Sequence, residues 1–185
     1  QVPFPAPPSN ELAAIIIDSL NPNVKVLVVD HVSSATALIF PIKELINACR
    51  QRGILSIVDG AHAPGMLPFD SWDAYPDWYV GNLHKWVCAP LGAAFLWSSE
   101  NHRSQTHPLT ISHFLDHSYI EEFDWQGTKD ISPWLTVFDA IQRMTPEQWR
   151  LQMQDNHNLA IEFEQIWLSQ FPVHSMYATE EQFGS

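Results

Sequence analysis

The sequence predicts an α/β fold in which a mostly parallel sheet lies between helices. A valine-rich run at residues 24–29 and an apolar run at residues 54–58 are typical of buried parallel strands. Between them, residues 41–52 carry an apolar stripe at helical spacing. That stripe consists of Leu45, Ile46 and Cys49. The order strand, helix, strand is typical of layered α/β proteins, so the sheet should be covered by helices.

The other elements are predicted from their boundary residues. The first ten residues contain four of the 14 prolines and predict a loop. Residues 11–20 then predict a helix that ends at Asn21-Pro22-Asn23, and Gly53 is placed to end the helix of residues 41–52. The remaining predictions are strands at 78–80 and 93–97, an irregular connection at 101–124, and helices at 133–144 and 146–169.

Polar residues follow three of the predicted strands, at the point where each strand ends. The three clusters are Asp30-His31, Asp59-Gly60-Ala61-His62 and Asn82-Leu83-His84-Lys85. The carboxyl ends of parallel strands meet at one edge of a sheet, where ligands bind in α/β proteins. The sequence therefore predicts a site at this edge.

Composition excludes several classes of partner. The chain has 9 basic and 21 acidic residues, a net charge of −12, which argues against nucleic acid and anionic membranes. No stretch approaches the ~20 apolar residues of a membrane span. The start has no secretory signal and no initiator Met, so we expect a fragment or a processed product. His113 and His117 form the one H-x-x-x-H pair in a histidine-rich segment without helical periodicity, and no metal site is predicted.

The two cysteines, Cys49 and Cys88, do not make a disulfide framework. They predict two buried thiols in a reducing compartment, which indicates a cytoplasmic protein.

Two residues of the predicted site have chemistry of their own. Lys85 is one of four lysines and lies among apolar residues, where an amine becomes a nucleophile able to form a Schiff base. An ordinary lysine whose stem packs on Trp86 fits the same pattern. Asp59 ends a strand, where its carboxylate could pair with a protonated ring nitrogen or simply cap a turn before Gly60.

Taken together, four segments resemble the class V aminotransferases and cysteine desulfurases, which share the fold of aspartate aminotransferase. These segments are residues 31–45, the DGAHAPG run at 59–65, the HKWVCAPLG run at 84–92 and WQGTKD at 125–130. The second and third resemble most the isopenicillin N epimerase-like branch. In the fourth, Lys129 stands where the family more usually has Arg.

The resemblance implies pyridoxal 5'-phosphate (PLP) as cofactor and a role for each matching residue. Lys85 forms the Schiff base and carries the Cα proton of the substrate. Asp59 pairs with the pyridine nitrogen. His62 contacts the ring hydroxyl, where many relatives have Gln, and Ser34 lies near that hydroxyl. The residues for the cofactor phosphate are Asn82, His84 and, reaching the neighbouring subunit of a homodimer, Thr128.

The resemblance also implies a domain division and an activity. Residues 1–130 are expected to form the second half of the PLP-binding large domain, and residues 131–185 linking helices and the start of a small C-terminal α+β domain. The expected activity is epimerase-like or aminotransferase chemistry at the Cα of a small amino-acid substrate. Two alternatives remain: a cysteine desulfurase or C–S lyase of the same family, and a non-catalytic module that has lost the cofactor.

Overall fold

A computed structural model describes residues 2–69 and 74–184 and contains a four-stranded sheet. The strands, in chain order and in sheet order, are β1 (Val26–Asp30), β2 (Leu55–Asp59), β3 (Trp78–Asn82) and β4 (Ala94–Ser98). The first three are parallel and β4 is antiparallel to β3. This confirms the mostly parallel α/β sheet.

The helices of the described residues match the predicted ones in part. They are α1 (Ser9–Ser19), α2 (Ile42–Arg52), α3 (Glu100–Arg103), α4 (Tyr119–Asp124), α5 (Ser132–Leu135), α6 (Val137–Gln142) and α7 (Pro146–Gln170). Helix α2 ends as predicted, because Gly53 has the left-handed φ of 65°. A 3-10 helix at Glu180–Gln182 follows α7.

Helix α2 covers one face of the sheet and builds the central core. Its Ile42 and Ile46 pack with Val58 of β2 and Tyr79 of β3, and all four side chains are buried. Leu45 and Cys49 of the predicted stripe are also buried. A second cluster, at the turn after β2, contains Val32, Ala63 and Met66, with the Trp86 ring packed against it.

Three predictions about local structure are wrong. The strand at residues 24–29 is not buried, because one face of β1 is uncovered: its Val26 and Val28 are 43% and 65% exposed. Residues 101–124 are not wholly irregular, since they include α4 and most of α3. The single helix expected at 133–144 is two short helices separated at Thr136, whose hydroxyl bonds the carbonyls of Ser132 and Pro133.

The cysteine prediction is half right. Cys49 is buried, but Cys88 is exposed and lies in a turn, where its φ of 59° is left-handed. Within the described ranges, no helix combines the length and apolar character that crossing a membrane requires.

Candidate active site

The ends of the three parallel strands are held in register at one edge of the sheet. Asp30 pairs with Asp59, and Asp59 pairs with Val80. The ladder continues beyond β1 and β2: the His31 N–H donates to the Asp59 carbonyl at 2.7 Å, and the Gly60 N–H to the Val80 carbonyl at 2.8 Å. The three polar clusters therefore lie side by side, as the sequence predicts.

The chain after β2 turns sharply back over β3. Asp59 Oδ1 accepts the N–H of Ala61 at 2.9 Å, and the Ala63 N–H donates to the Gly60 carbonyl at 3.0 Å. Only glycine fits at position 60, because a Cβ there would lie 1.9 Å from Tyr79 Oη. This turn places His62 above the edge of the sheet, three residues beyond Asp59.

A second close approach joins this turn to the lysine segment. Gly65 has φ +82°, and a Cβ on it would lie 2.8 Å from the Trp86 carbonyl carbon. The lysine segment is itself held by backbone bonds: Leu83 N–H to the Ala93 carbonyl at 2.9 Å, and Cys88 N–H to the Lys85 carbonyl at 3.1 Å. Two rigid turns are thus packed backbone to backbone.

This packing brings Lys85 and His62 into direct contact. Lys85 Nζ lies 3.0 Å from His62 Nε2, and both side chains are half-buried. Burial is the main cause that lowers the pKa of His62, and the Lys85 charge lowers it further, while Asp59 and Asp30 oppose the shift. A neutral imidazole can accept from an ammonium on one nitrogen or donate to a free amine, so His62 can serve Lys85 in either protonation state.

Carboxylates provide the negative charge of the site. Ala61 occupies one position on Asp59 Oδ1, and an ionised carboxylate has about four lone-pair sites, so Asp59 can accept a further donor. The pKa of the Asp30 carboxyl is raised, by partial burial first and by the Asp59 charge second. Asp30 therefore takes up a proton more readily than an isolated aspartate does. Within the site, the negative charge of Asp59 contributes to this effect.

Two of the three residues expected at the cofactor phosphate also lie at this edge. Asn82 is the last residue of β3 and is half-buried. His84 Nδ1 lies 2.9 Å from the Ala93 carbonyl, which only accepts, so this nitrogen carries a proton. His84 can then donate to a phosphate from Nε2 only as an imidazolium.

Ser34 and Thr128 are the other two predicted site residues. Both side chains are exposed, and within residues 2–69 and 74–184 no side-chain hydrogen bond links either to Lys85, His62 or Asp59. Ser33 rather than Ser34 organises its turn, because its hydroxyl accepts the Leu38 N–H at 2.9 Å.

Sequence reasoning missed a buried pair that supports the turn at Gly60. His31 Nδ1 lies 3.0 Å from Tyr79 Oη, and both residues are buried. Burial lowers the pKa of His31 to about 4, and burial followed by the Asp59 charge raises the pKa of Tyr79. The signal in the sequence was weak: a tyrosine in an apolar strand is usually a packing residue.

The histidine-rich segment contains a local pair of His107 with Glu122. His107 Nδ1 lies 2.7 Å from Glu122 Oε2, and the Asp116 N–H donates to Glu122 Oε1 at 3.0 Å. In the described part of the chain, no three His, Cys, Asp or Glu side chains gather as metal ligands would.

The sequence of this chain is similar to those of several known enzymes. The chain is 33% identical over 154 residues to isopenicillin N epimerase of Streptomyces clavuligerus, which covers 75% of the chain and 38% of that protein. It is 29% identical to L-cysteine desulfhydrase of Arabidopsis thaliana over 171 residues, 87% of the chain and 38% of that protein.

A solved structure has the same fold. The apo structure of a cysteine desulfurase from Thermococcus onnurineus NA1 superposes with a TM-score of 0.69 at 19% identity, covering 94% of this chain and 45% of that one. The chain thus spans less than half the length of each of these three proteins. The sequence profile of "Aminotransferase class-V" matches residues 9–182, nearly the whole chain. The chain therefore belongs to the class V aminotransferase family of PLP-dependent enzymes.

Proposed function

We propose that this chain carries the cofactor-binding lysine of a PLP-dependent enzyme that acts at the Cα of an amino acid, with Lys85 as that lysine. The observation that carries the proposal is the contact of Lys85 Nζ with His62 Nε2 at 3.0 Å, beside the carboxylate of Asp59 at the end of β2. An amine with a proton-exchanging partner and a nearby carboxylate is what an aldehyde cofactor with a basic ring nitrogen requires.

The donor and acceptor set fits PLP. Lys85 supplies the amine for the aldehyde, Asp59 an acceptor for the protonated ring nitrogen, and His62 a partner for the ring hydroxyl. His84 and Asn82 would bind the phosphate. When bound, PLP supplies an electron-withdrawing ring that stabilises negative charge at the substrate Cα.

The residues of the chain would then move the proton. Once its amine is free, Lys85 can take the Cα proton, and the His62 imidazole lies in hydrogen-bond contact with that amine at 3.0 Å. The Asp59 carboxylate at the strand end would favour a protonated ring nitrogen. The half-buried setting of Lys85 and His62 limits water around this transfer.

The reaction following proton removal is proposed to be epimerase-like or transaminase-like. A second candidate, C–S bond cleavage in cysteine, is favoured by the similarity to L-cysteine desulfhydrases. The two differ in product: the full-length protein with L-cysteine releases sulfide only if C–S cleavage occurs. Exchange of the Cα proton with deuterated water without sulfide would favour the epimerase or transaminase reading.

The experiment that tests Lys85 is borohydride reduction followed by peptide mapping. The full-length protein with PLP should absorb in the visible range, and reduction should leave a phosphopyridoxyl group on Lys85. Lys85→Arg should abolish the adduct, while Lys25→Ala, which changes an exposed lysine before β1, should leave it in place. An adduct on another lysine would refute the assignment, and a colourless protein that PLP never labels would favour the non-catalytic module.

The assembly and location are also proposed. Thr128 follows Gly127, whose φ is +94°, in an exposed turn that could reach the phosphate of a neighbouring subunit. A homodimer, the domain division at residue 130, and a cytoplasmic location complete the proposal. Thr128→Ala should weaken PLP binding, and sedimentation of the full-length protein measures the subunit number.

A further inference from the structure

The indole of Trp86 lies on the opposite side of His62 from Lys85. Trp86 Nε1 is 3.5 Å from His62 Nδ1, and Lys85 Nζ is 3.0 Å from His62 Nε2. An indole N–H is a donor only. The contact is therefore satisfied only when His62 Nδ1 bears its lone pair.

The donors and acceptors of an imidazole then determine what His62 can offer to Lys85. A neutral imidazole has one N–H and one lone pair, so a lone pair on Nδ1 puts the proton on Nε2. An Nε2–H group can only donate to Lys85, and Lys85 can accept only as the uncharged amine. The other tautomer would satisfy an ammonium but would set Nδ1–H against the indole N–H.

The charged ring fits this arrangement least. An imidazolium donates from both nitrogens, so it would oppose both Trp86 and a charged Lys85. Burial, the largest cause that lowers the pKa of His62, acts in the same direction against the charged ring. The carboxylates that oppose this effect come from two neighbouring strand ends, Asp59 and Asp30.

The Trp86 indole is held by packing that does not involve Lys85. The ring is half-buried against the cluster of Val32, Ala63 and Met66. Its backbone is in contact with Gly65, where a Cβ would lie 2.8 Å away. His62 and Trp86 are thus presented to each other by the same two turns.

We propose that Trp86 is a positioning residue whose indole N–H holds His62 in the tautomer protonated on Nε2, so that His62 hydrogen-bonds the uncharged, nucleophilic amine of Lys85. This inference rests on the proposed function, because it concerns how Lys85 is prepared for the cofactor aldehyde. Trp86 acts through His62 and touches neither the aldehyde nor the substrate.

The direct test is the tautomer of His62 in the cofactor-free, full-length protein, by nitrogen NMR with labelled histidine. The unaltered protein should show a proton on Nε2 and none on Nδ1. Trp86→Phe keeps an aromatic ring but removes the N–H, and it should shift the ring toward protonation on Nδ1. Trp149→Phe is the matched control, since it removes an indole N–H that donates to the Ile141 carbonyl at 2.8 Å.

A second readout is the rate at which Lys85 combines with added PLP. Loss of one hydrogen bond should slow this rate roughly three- to tenfold in Trp86→Phe, with no change in Trp149→Phe. In a His62→Phe background the Trp86→Phe effect should vanish, because a phenyl ring has no nitrogen with which the indole N–H could bond. A purely structural role for Trp86 would leave the effect in place.

A proton on His62 Nδ1 in the unaltered protein, or an unchanged tautomer in Trp86→Phe, would overturn the inference. So would a rate effect that persists at full size in the His62→Phe background. Failure of the proposed function has a different signature: the reduced adduct would lie on a lysine other than Lys85, whichever tautomer His62 adopts.

Discussion

Replacing Gly65 by alanine tests whether backbone contact between the two turns holds His62 against Lys85. Gly65 has φ +82°, and an added Cβ would lie 2.8 Å from the Trp86 carbonyl carbon, 3.0 Å from its oxygen and 3.0 Å from the Val87 nitrogen. These are backbone atoms, so no side-chain rotation can relieve the contact. The two turns would have to separate.

The expected cost has two parts. A left-handed conformation costs an alanine about 1–2 kcal/mol, and overpacking of a close contact adds about 1–3 kcal/mol. Gly53→Ala isolates the first part, because Gly53 has φ +65° with nothing within 4 Å of an added Cβ. The difference between the two variants therefore measures the contact with Trp86.

The assay is urea denaturation of the full-length protein for both variants, with PLP affinity measured in parallel. Gly65→Ala should reduce the free energy of unfolding by about 1–3 kcal/mol more than Gly53→Ala, and it alone should weaken PLP binding. If the two variants lie within roughly 0.5 kcal/mol of each other and bind PLP equally, the turns are not held by this contact and the reasoning fails.

Two further predictions concern pH. Burial holds the folded pKa of His31 at about 4 against 6.5, so its contribution to stability is complete above pH 6.5 and is lost as the pH falls toward 4. The free energy of unfolding, measured with urea, should therefore fall between pH 6.5 and 4, and His31→Gln should remove up to about 3 kcal/mol of that fall. An unchanged pH dependence would contradict the burial argument. The hydrogen bond to Glu122 raises the pKa of His107 above 6.5, and the bond to His107 lowers that of Glu122 below 4.5. The His107 contribution is lost as pH rises through its folded pKa, and that of Glu122 as pH falls through its own. In Glu122→Gln the midpoint of thermal unfolding should lose both of these pH dependences, and it should fall most between about pH 4.5 and 6.5. An equal fall at every pH would show that packing, not charge, matters there.

The parts of the fold that sequence predicted are those set by local chemistry. Gly53 ends α2 because its lack of a Cβ permits φ 65°, and the buried stripe of α2 follows from helical spacing. The polar clusters after β1, β2 and β3 meet because parallel strands share a carboxyl edge. Exposure was harder to predict: Val28 is apolar whether or not a neighbour covers it, and Cys88, which was expected to be buried, is exposed.

The sequence by itself determined the family and cofactor class, since the motifs around Asp59 and Lys85 are each contiguous in the chain. Their residue types and their order are enough to indicate the family. Tertiary structure decided which of the residues meet. His62 and Lys85 are 23 residues apart and touch because two glycines allow approaches that no Cβ would permit: Gly60 to the Tyr79 side chain and Gly65 to the Trp86 backbone. The partners of His62, on either side of its ring, follow from that packing, because a hydrogen bond depends on positions within a few tenths of an ångström that no spacing along the chain encodes.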